Sequence, residues 1–310
     1  MKATAACAVV FAYHDVGVRG LAVLLALGVD VRLVVTHRDD PDENIWFGSV
    51  AELAARNDIA VITPADPNSS EVIERVRACR PDVLFSLYYR HMLGADLLSI
   101  PGIGAFNVHG SLLPKYRGRV PVNWAVLHGE TETGASLHRM EIKPDAGALL
   151  DQQAVAILPN DTAWAVFQKI TCATERLLLR CVPLLLEGRA RETPLDLPAG
   201  SYFGGRRPED GRIDWQLPAR EIHNLIRAVA PPYPGAFLEA GGLRLDVLGS
   251  YFRGLPAVGQ GPRIYWQAGR CYADCIDGMQ LELTHLAVAG ETLDEAGFRA
   301  RFETTELNLV

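Results

Sequence analysis

The chain has 310 residues, 49% hydrophobic and 22% charged, and carries a net charge of −7 from 30 Lys+Arg against 37 Asp+Glu. That length suggests two domains of about 100–200 residues, or one large one. It can bury a core without staples, so disordered, collagen-like and disulfide-scaffold classes fit poorly. The acidic balance, with only Lys2, Lys115, Lys143 and Lys169 as lysines, lacks the basic excess that nucleic-acid binders present to phosphates.

The first half alternates strands and helices. Met1-Lys2 followed by Ala3 to Ala12 could imitate a short leader. The apolar stretch instead ends in Tyr13-His14-Asp15 without a convincing cleavage site, and a buried first strand over 8–13 fits better. Gly17 to Gly20 reads as a loop, and Leu21 to Leu27 as a helix. It lacks the full G-x-G-x-x-G pattern, so NAD is not expected. Strands follow over 31–36, 59–62, 83–88 and 103–108, with helices over 49–57, where Ser49 is a plausible N-cap, and over 71–80. Strand, helix, strand at this spacing predicts βαβ units in a mostly parallel, Rossmann-like sheet. Thr133 to Met140 reads as a further strand.

From Gly188 to Gly211 the chain turns rich in proline, glycine and arginine, as a connector does. Beyond it, Leu238 to Leu245 resembles a hairpin around Gly241-Gly242, and Asp277-Gly278 marks another. Several short strands there predict a small β barrel. The organisation expected is a catalytic domain over 1–190, a linker over 191–211 and a barrel domain over 212–310.

The six cysteines are scattered, and Cys271 and Cys275 stand as C-x3-C without a second pair. A zinc site wants more ligands at tighter spacing, so no metal is expected; buried free thiols suit a reducing cytoplasm. No run approaches the ~18 apolar residues of a membrane span.

Chemistry concentrates between Gly104 and Leu150. Asn107 and His109 share one face of a strand end, and ligands in open α/β sheets bind at such ends. An N-x-H can also merely cap a loop. The following segment, Gly110 to Pro121, mixes prolines, glycines and three cations, as a shaped binding loop or a solvated basic turn would. Asp145 lies in a tight loop; near His109 it would favour the imidazolium, and alone it would be an ordinary turn aspartate.

Phe106-Asn107-Val108-His109, followed by Ser111-Leu112-Leu113-Pro114-Lys115-Tyr116-Arg117-Gly118, resembles the signature of the 10-formyltetrahydrofolate-dependent formyltransferases, and Asp145 matches that family's essential aspartate. Val10 to Asp15, Tyr88-Tyr89-Arg90-His91, Gly129 to Gly134 and Leu137-His138-Arg139-Met140 are similar to one branch, the formyltransferase domain of the bifunctional UDP-4-amino-4-deoxy-L-arabinose formyltransferase/UDP-glucuronate decarboxylase. The resemblance covers residues 8 to about 240 and, more loosely, the rest. It implies that His109 handles protons, that Asn107 stabilises the tetrahedral intermediate and that Asp145 raises the pKa of His109. It implies folate contacts at His91, Met92, Leu93 and Arg119, and along Glu141, Ile142, Lys143, Pro144 and Asp145. It also implies an OB-like C-terminal barrel, a cytoplasmic enzyme of lipid A modification and polymyxin resistance, and 10-formyltetrahydrofolate as co-substrate. The decarboxylase region is missing from these 310 residues, so that activity is expected on a separate polypeptide.

Competing readings are another nucleotide-linked amino sugar as acceptor, methionyl-tRNA, or a binding module without catalysis. Methionyl-tRNA enzymes commonly carry Ala-Ala-Pro where this chain has Arg119-Val120-Pro121. From Arg206 onward there are 11 Arg, no Lys and 14 Asp+Glu, a net of −3, which does not suit a tRNA-gripping domain. The complete Asn107, His109 and Asp145 set argues against a module without catalysis. A small nucleotide sugar is the partner expected, with no nucleic acid and no membrane insertion; oligomeric state is left open.

Overall fold

A computed structural model describes residues 6–309. Met1 to Ala5, half of the leader-like segment, and Val310 lie outside the described residues. Contacts divide the chain into two compact units. The first holds 1–121, 133–155 and 168–204; the second holds 122–132, 156–167 and 205–310.

The first unit is built on strands β1 (Cys7–Ala12), β2 (Asp30–Val35), β3 (Ala60–Ile62), β4 (Val83–Leu87) and β5 (Gly104–His109). Between them run helices α1 (His14–Ala26), α2 (Val50–Ala55), α3 (Ser70–Ala78) and α4 (Ala95–Leu98). The short β6 (Arg117–Gly118) precedes β7 (Glu132–Arg139), β8 (Leu149–Ala156) and β9 (Tyr202–Phe203). The main sheet has the order β3-β2-β1-β4-β5-β7-β8. β1 to β5 are parallel, and β7 runs antiparallel to β5. β1 and β4 are buried at every position, as central strands covered on both faces must be. Val9, Phe11, Leu33, Leu84 and Ala105 pack with Val72, Val76 and Leu97 into one core.

Ser49 caps α2, its hydroxyl accepting the Glu52 amide at 3.2 Å. The segment read as a glycine loop is instead part of α1. Both glycines there serve packing: a Cβ at Gly20 would stand 2.6 Å from a Leu87 methyl, and one at Gly17 3.0 Å from Val50. Close approach of α1 to the sheet at Gly20 and to α2 at Gly17, not turn geometry, accounts for them.

The second unit contains most of α5 (Pro121–Leu127), the start of α6 (Ala163–Leu186), and α7 (Ala219–Val229). Its sheet comprises β10 (Ala236–Ala240), β11 (Leu243–Pro256), β12 (Arg263–Gln267), β13 (Arg270–Asp274), β14 (Met279–Val288), β15 (Glu291–Thr292) and β16 (Glu306–Asn308), with α8 (Glu295–Phe302) before the last strand. The order is β10-β11-β14-β13-β12-β16, with β15 beside β14, antiparallel throughout: a curled half-barrel. The predicted hairpin turns are both present, with Gly241, Gly242 and Gly278 at positive φ. Ile222, Ile226 and Val229 of α7 fill the core against Leu245, Val247, Leu281 and Leu283. The expected connector is not a bare linker, since its β9 pairs with β6.

Four of the six cysteines are buried free thiols; Cys79 is half-buried and Cys172 is exposed. Among the described residues no helix is long and apolar enough to cross a membrane.

Candidate active site

Antiparallel pairing of β5 with β7 sets Asn107 opposite His138 and His109 opposite Ser136. Directly opposed residues point to the same face, so the sheet gathers an amide and two imidazoles at the end of β5. Asp145 arrives from the loop after β7. Its Oδ1 lies 3.5 Å from Nδ1 of His109 and 3.5 Å from Nε2 of His138. Both distances exceed ordinary hydrogen bonds, so the coupling is electrostatic. Oδ2 accepts the Gly118 amide at 2.9 Å. On its far side His109 Nε2 lies 2.8 Å from the Tyr116 carbonyl, which can only accept; Nε2 therefore carries a proton and Nδ1 faces Asp145.

His109 is only 6% exposed. Burial pushes its pKa below the usual imidazole value, against the opposing pull of Asp145 and the Tyr116 carbonyl. Asp145 thus acts in the expected direction, but burial is the larger effect. Burial works to raise the pKa of Asp145 itself; His109, His138 and the Gly118 amide outweigh it and hold the carboxyl well below the ordinary carboxylate range. The cluster therefore keeps a carboxylate facing an imidazole in a nearly dry pocket, where charge is weakly screened.

The loop from Gly110 to Arg119 is fixed at several points. Ser136 Oγ donates to the Ser111 carbonyl and accepts from the Leu113 amide. Gln152 donates to the Leu113 carbonyl, and Ser201 Oγ accepts the Tyr116 amide. Tyr116 stacks on Phe203 at 5.3 Å. Gly118 is obligatory: its φ is +99°, and a Cβ would meet the Phe203 carbonyl oxygen at 2.2 Å. Gly110 is likewise filled over by the Tyr88 hydroxyl, 2.1 Å from a would-be Cβ. Tyr88, Tyr116, Val120 and Asp145 all adopt positive φ. Strained non-glycine backbone of this kind concentrates at functional sites; for β-branched Val120 it is an outlier.

Residues 24–182 match the formyl transferase family, and residues 206–290 match the formyl transferase C-terminal domain. The chain belongs to the formyl transferase family. Its fold is shared with the N-formyltransferase from Helicobacter canadensis, solved with folinic acid and dTDP-3-aminofucose: TM-score 0.74, 21% identity, 91% of this chain and 99% of that one. WlaRD, a sugar 3N-formyl transferase solved with dTDP and 5-N-formyl-THF, gives TM-score 0.73 at 19% identity over 92% and 98% of the two chains. HypX from Aquifex aeolicus in complex with tetrahydrofolic acid gives 0.65 at 15% identity over 95% and 47%.

In this formyl transferase, of the expected folate contacts Glu141, Ile142 and Lys143 line one groove, and His91, Met92, Leu93, Arg119, Pro144 and Asp145 are not among its lining residues. An open concavity of about 510 Å³ is lined by Ala95, Leu98 and Ser99 on one side and by Met140, Glu141, Ile142 and Lys143 on the other. The first wall follows directly on from His91, Met92 and Leu93. Ile142 and Met92 are exposed, whereas Leu93 is buried in the core and anchors the segment. Pro144 leads into Asp145, and Arg119 is exposed beyond Gly118, its amide bonded to the Phe203 carbonyl at 3.0 Å. Asn68, which carried no signal in the sequence, grips this wall: it accepts the Gly94 amide at 2.6 Å and donates to the Met92 carbonyl at 3.0 Å.

The Tyr88 to His91 motif does structural work as well. Arg90 forks onto Glu43 at 2.6 and 2.7 Å and covers the Tyr13 ring at 4.7 Å. His37 stacks on Tyr89 at 4.2 Å and accepts the Arg90 amide at 3.0 Å. Burial pushes His37 down to about 4 and His14 down to about 3. Among the described residues no group of three or more His, Cys, Asp or Glu could hold a metal ion.

Proposed function

We propose that this formyl transferase moves the formyl group of 10-formyltetrahydrofolate to the 4-amine of UDP-4-amino-4-deoxy-L-arabinose. The observation that carries the reading is the convergence of Asn107, His109 and Asp145 at the end of β5, beside a groove bounded by Met140 to Lys143. In the reaction the amine nitrogen attacks the formyl carbon, and the carbonyl oxygen gains negative charge. An Asn107 N–H stabilises that oxygen, an effect worth about 10²–10³ in rate. The C–N10 bond then breaks, one proton leaves the amine and one reaches N10. His109 handles this proton traffic, typically worth about 10²–10⁴: with the ring proton moved to Nδ1 beside Asp145, Nε2 turns from the Tyr116 carbonyl to the substrate, takes the amine's proton to give an imidazolium, and then passes a proton to N10. Asp145 serves as counter-charge whenever the ring is an imidazolium. Folate lies along the groove, with Arg119 near its reactive end.

The acceptor assignment is supported by the Tyr88 to His91 and Arg119 to Pro121 segments, by the acidic charge of residues 206–310, and by the aminosugar nucleotides in the two solved relatives. The deciding experiment is kcat/KM with one formyl-folate and three acceptors: UDP-aminoarabinose, a dTDP-amino sugar and methionyl-tRNA. UDP-aminoarabinose is expected to lead by orders of magnitude. A dTDP-amino sugar in first place leaves the class standing and removes the named sugar. Methionyl-tRNA in first place removes the sugar reading altogether.

A further inference from the structure

His138 is 2% exposed and has no part in the transfer steps proposed above. Its Nδ1 lies 2.8 Å from the Arg139 carbonyl. A carbonyl only accepts, so Nδ1 holds the ring's proton and Nε2 of the neutral ring is an acceptor. That Nε2 lies 3.2 Å from Nδ2 of Asn107 but 3.5 Å from Oδ1 of Asp145. The first distance is a hydrogen bond and the second is beyond that range. In this tautomer the ring receives an amide N–H of Asn107, with Asp145 the more distant neighbour of Nε2.

We propose that His138 is a positioning residue for the transfer: its ring fixes the Asn107 side chain so that an N–H, and not the amide oxygen, faces the transferred group. An asparagine amide is nearly symmetric in shape, and its two orientations present opposite polarity. Turned one way it donates to a developing oxyanion; turned the other way it repels it. A partner that can only accept selects the donating orientation. The selection is built into the sheet, because β5 and β7 place the two residues directly opposite each other and the Arg139 carbonyl locks the tautomer.

The inference rests on the assignment of Asn107 to oxyanion stabilisation, so its test has one arm that needs no turnover. In the native protein, ring ¹⁵N NMR should show His138 protonated at Nδ1 with a hydrogen-bonded Nε2, and Asn107→Ala should move the Nε2 signal. A proton on Nε2 in place of Nδ1, or an Nε2 signal indifferent to Asn107→Ala, overturns the proposal. In the kinetic arm, His138→Leu should lower kcat by about 10–100-fold with both KM values within about twofold, as expected for an interaction realised in the transition state. His138→Gln, whose amide oxygen can accept, should recover part of the loss. In an Asn107→Ala background His138→Leu should cost little more; a full multiplicative loss there also overturns the proposal. If the native enzyme formylates no amine, the functional reading fails and the NMR arm still decides the geometry. If His138→Leu does not fold, His138→Gln and the NMR arm decide.

Discussion

At the scale of single residues, the site depends on how a few groups are held. His109→Ala and Asp145→Ala should each lower kcat by several orders of magnitude while the fold survives, since each is proposed to act on the transition state; steady-state kinetics with circular dichroism checks both halves of the statement. Gly118→Ala is expected to be nearly as harmful, although glycine carries no chemistry. Its amide holds Asp145 at 2.9 Å, and a methyl group there has no room beside the Phe203 carbonyl. We expect a loss of at least about 10-fold in kcat, together with destabilisation of about 1–3 kcal/mol from strain; unchanged kinetics would contradict the tie between β6 and the site. That Asn107 and His109 share a face was legible from strand alternation, and Asp145 was singled out beside them by the family resemblance. His138 and Gly118 lay inside quoted motifs without a role, because their work is set by cross-strand register and by a β6–β9 pairing that no local pattern encodes.

At the scale of elements, β1 to β5, β7 and helices α2 and α3 were legible to within a residue or two, because buried parallel strands are short apolar runs; α1 begins at His14, well before the helix read from Leu21, and α4, α5 and β8 were not read. Gly17 and Gly20 misled, since a glycine that admits a neighbouring side chain looks the same in sequence as one that makes a turn. Helix α7 shows a different device. Arg227 is 5% exposed, and burial pushes its pKa down to about 10. Its guanidinium donates to Asn224 Oδ1 at 2.9 Å, to the Asp161 carbonyl at 3.0 Å and to the Val126 carbonyl at 3.3 Å. One cation thus satisfies backbone acceptors from two separate stretches of the second unit and a side-chain oxygen of its own helix. Arg227→Leu should cost about 2–4 kcal/mol, because buried carbonyls lose their donors together. Urea unfolding monitored by tryptophan fluorescence reads this directly, and a change below about 0.5 kcal/mol would count against it.

For the whole molecule, acid is the condition to which stability is most exposed. His14, His37 and His223 are pushed down to about 3, 4 and 4, in each case chiefly by burial. Between those values and the unfolded value of about 6.5 the unfolded chain binds more protons than the folded one, so stability falls as pH falls through that window. Asp145, depressed in the fold, adds a loss of the same sign at lower pH still. Thermal midpoints should therefore drop steadily from pH 7 to pH 4, and a flat profile would refute the neutral-buried description of these rings.

The discontinuity of the second unit has a consequence for synthesis. Residues 122–132 and 156–167 leave the ribosome well before α7, which supplies the Arg227 and His223 contacts to Val126, Asp161 and Pro159. Until then the Val126, Pro159 and Asp161 carbonyls lack the donors that α7 brings, while every strand of the parallel sheet has already been made. A nascent chain halted near Gly204 should accordingly exchange amide hydrogens rapidly at 122–132 and 156–167, yet protect β1, β4 and β5; release of the remaining residues should close the two windows together.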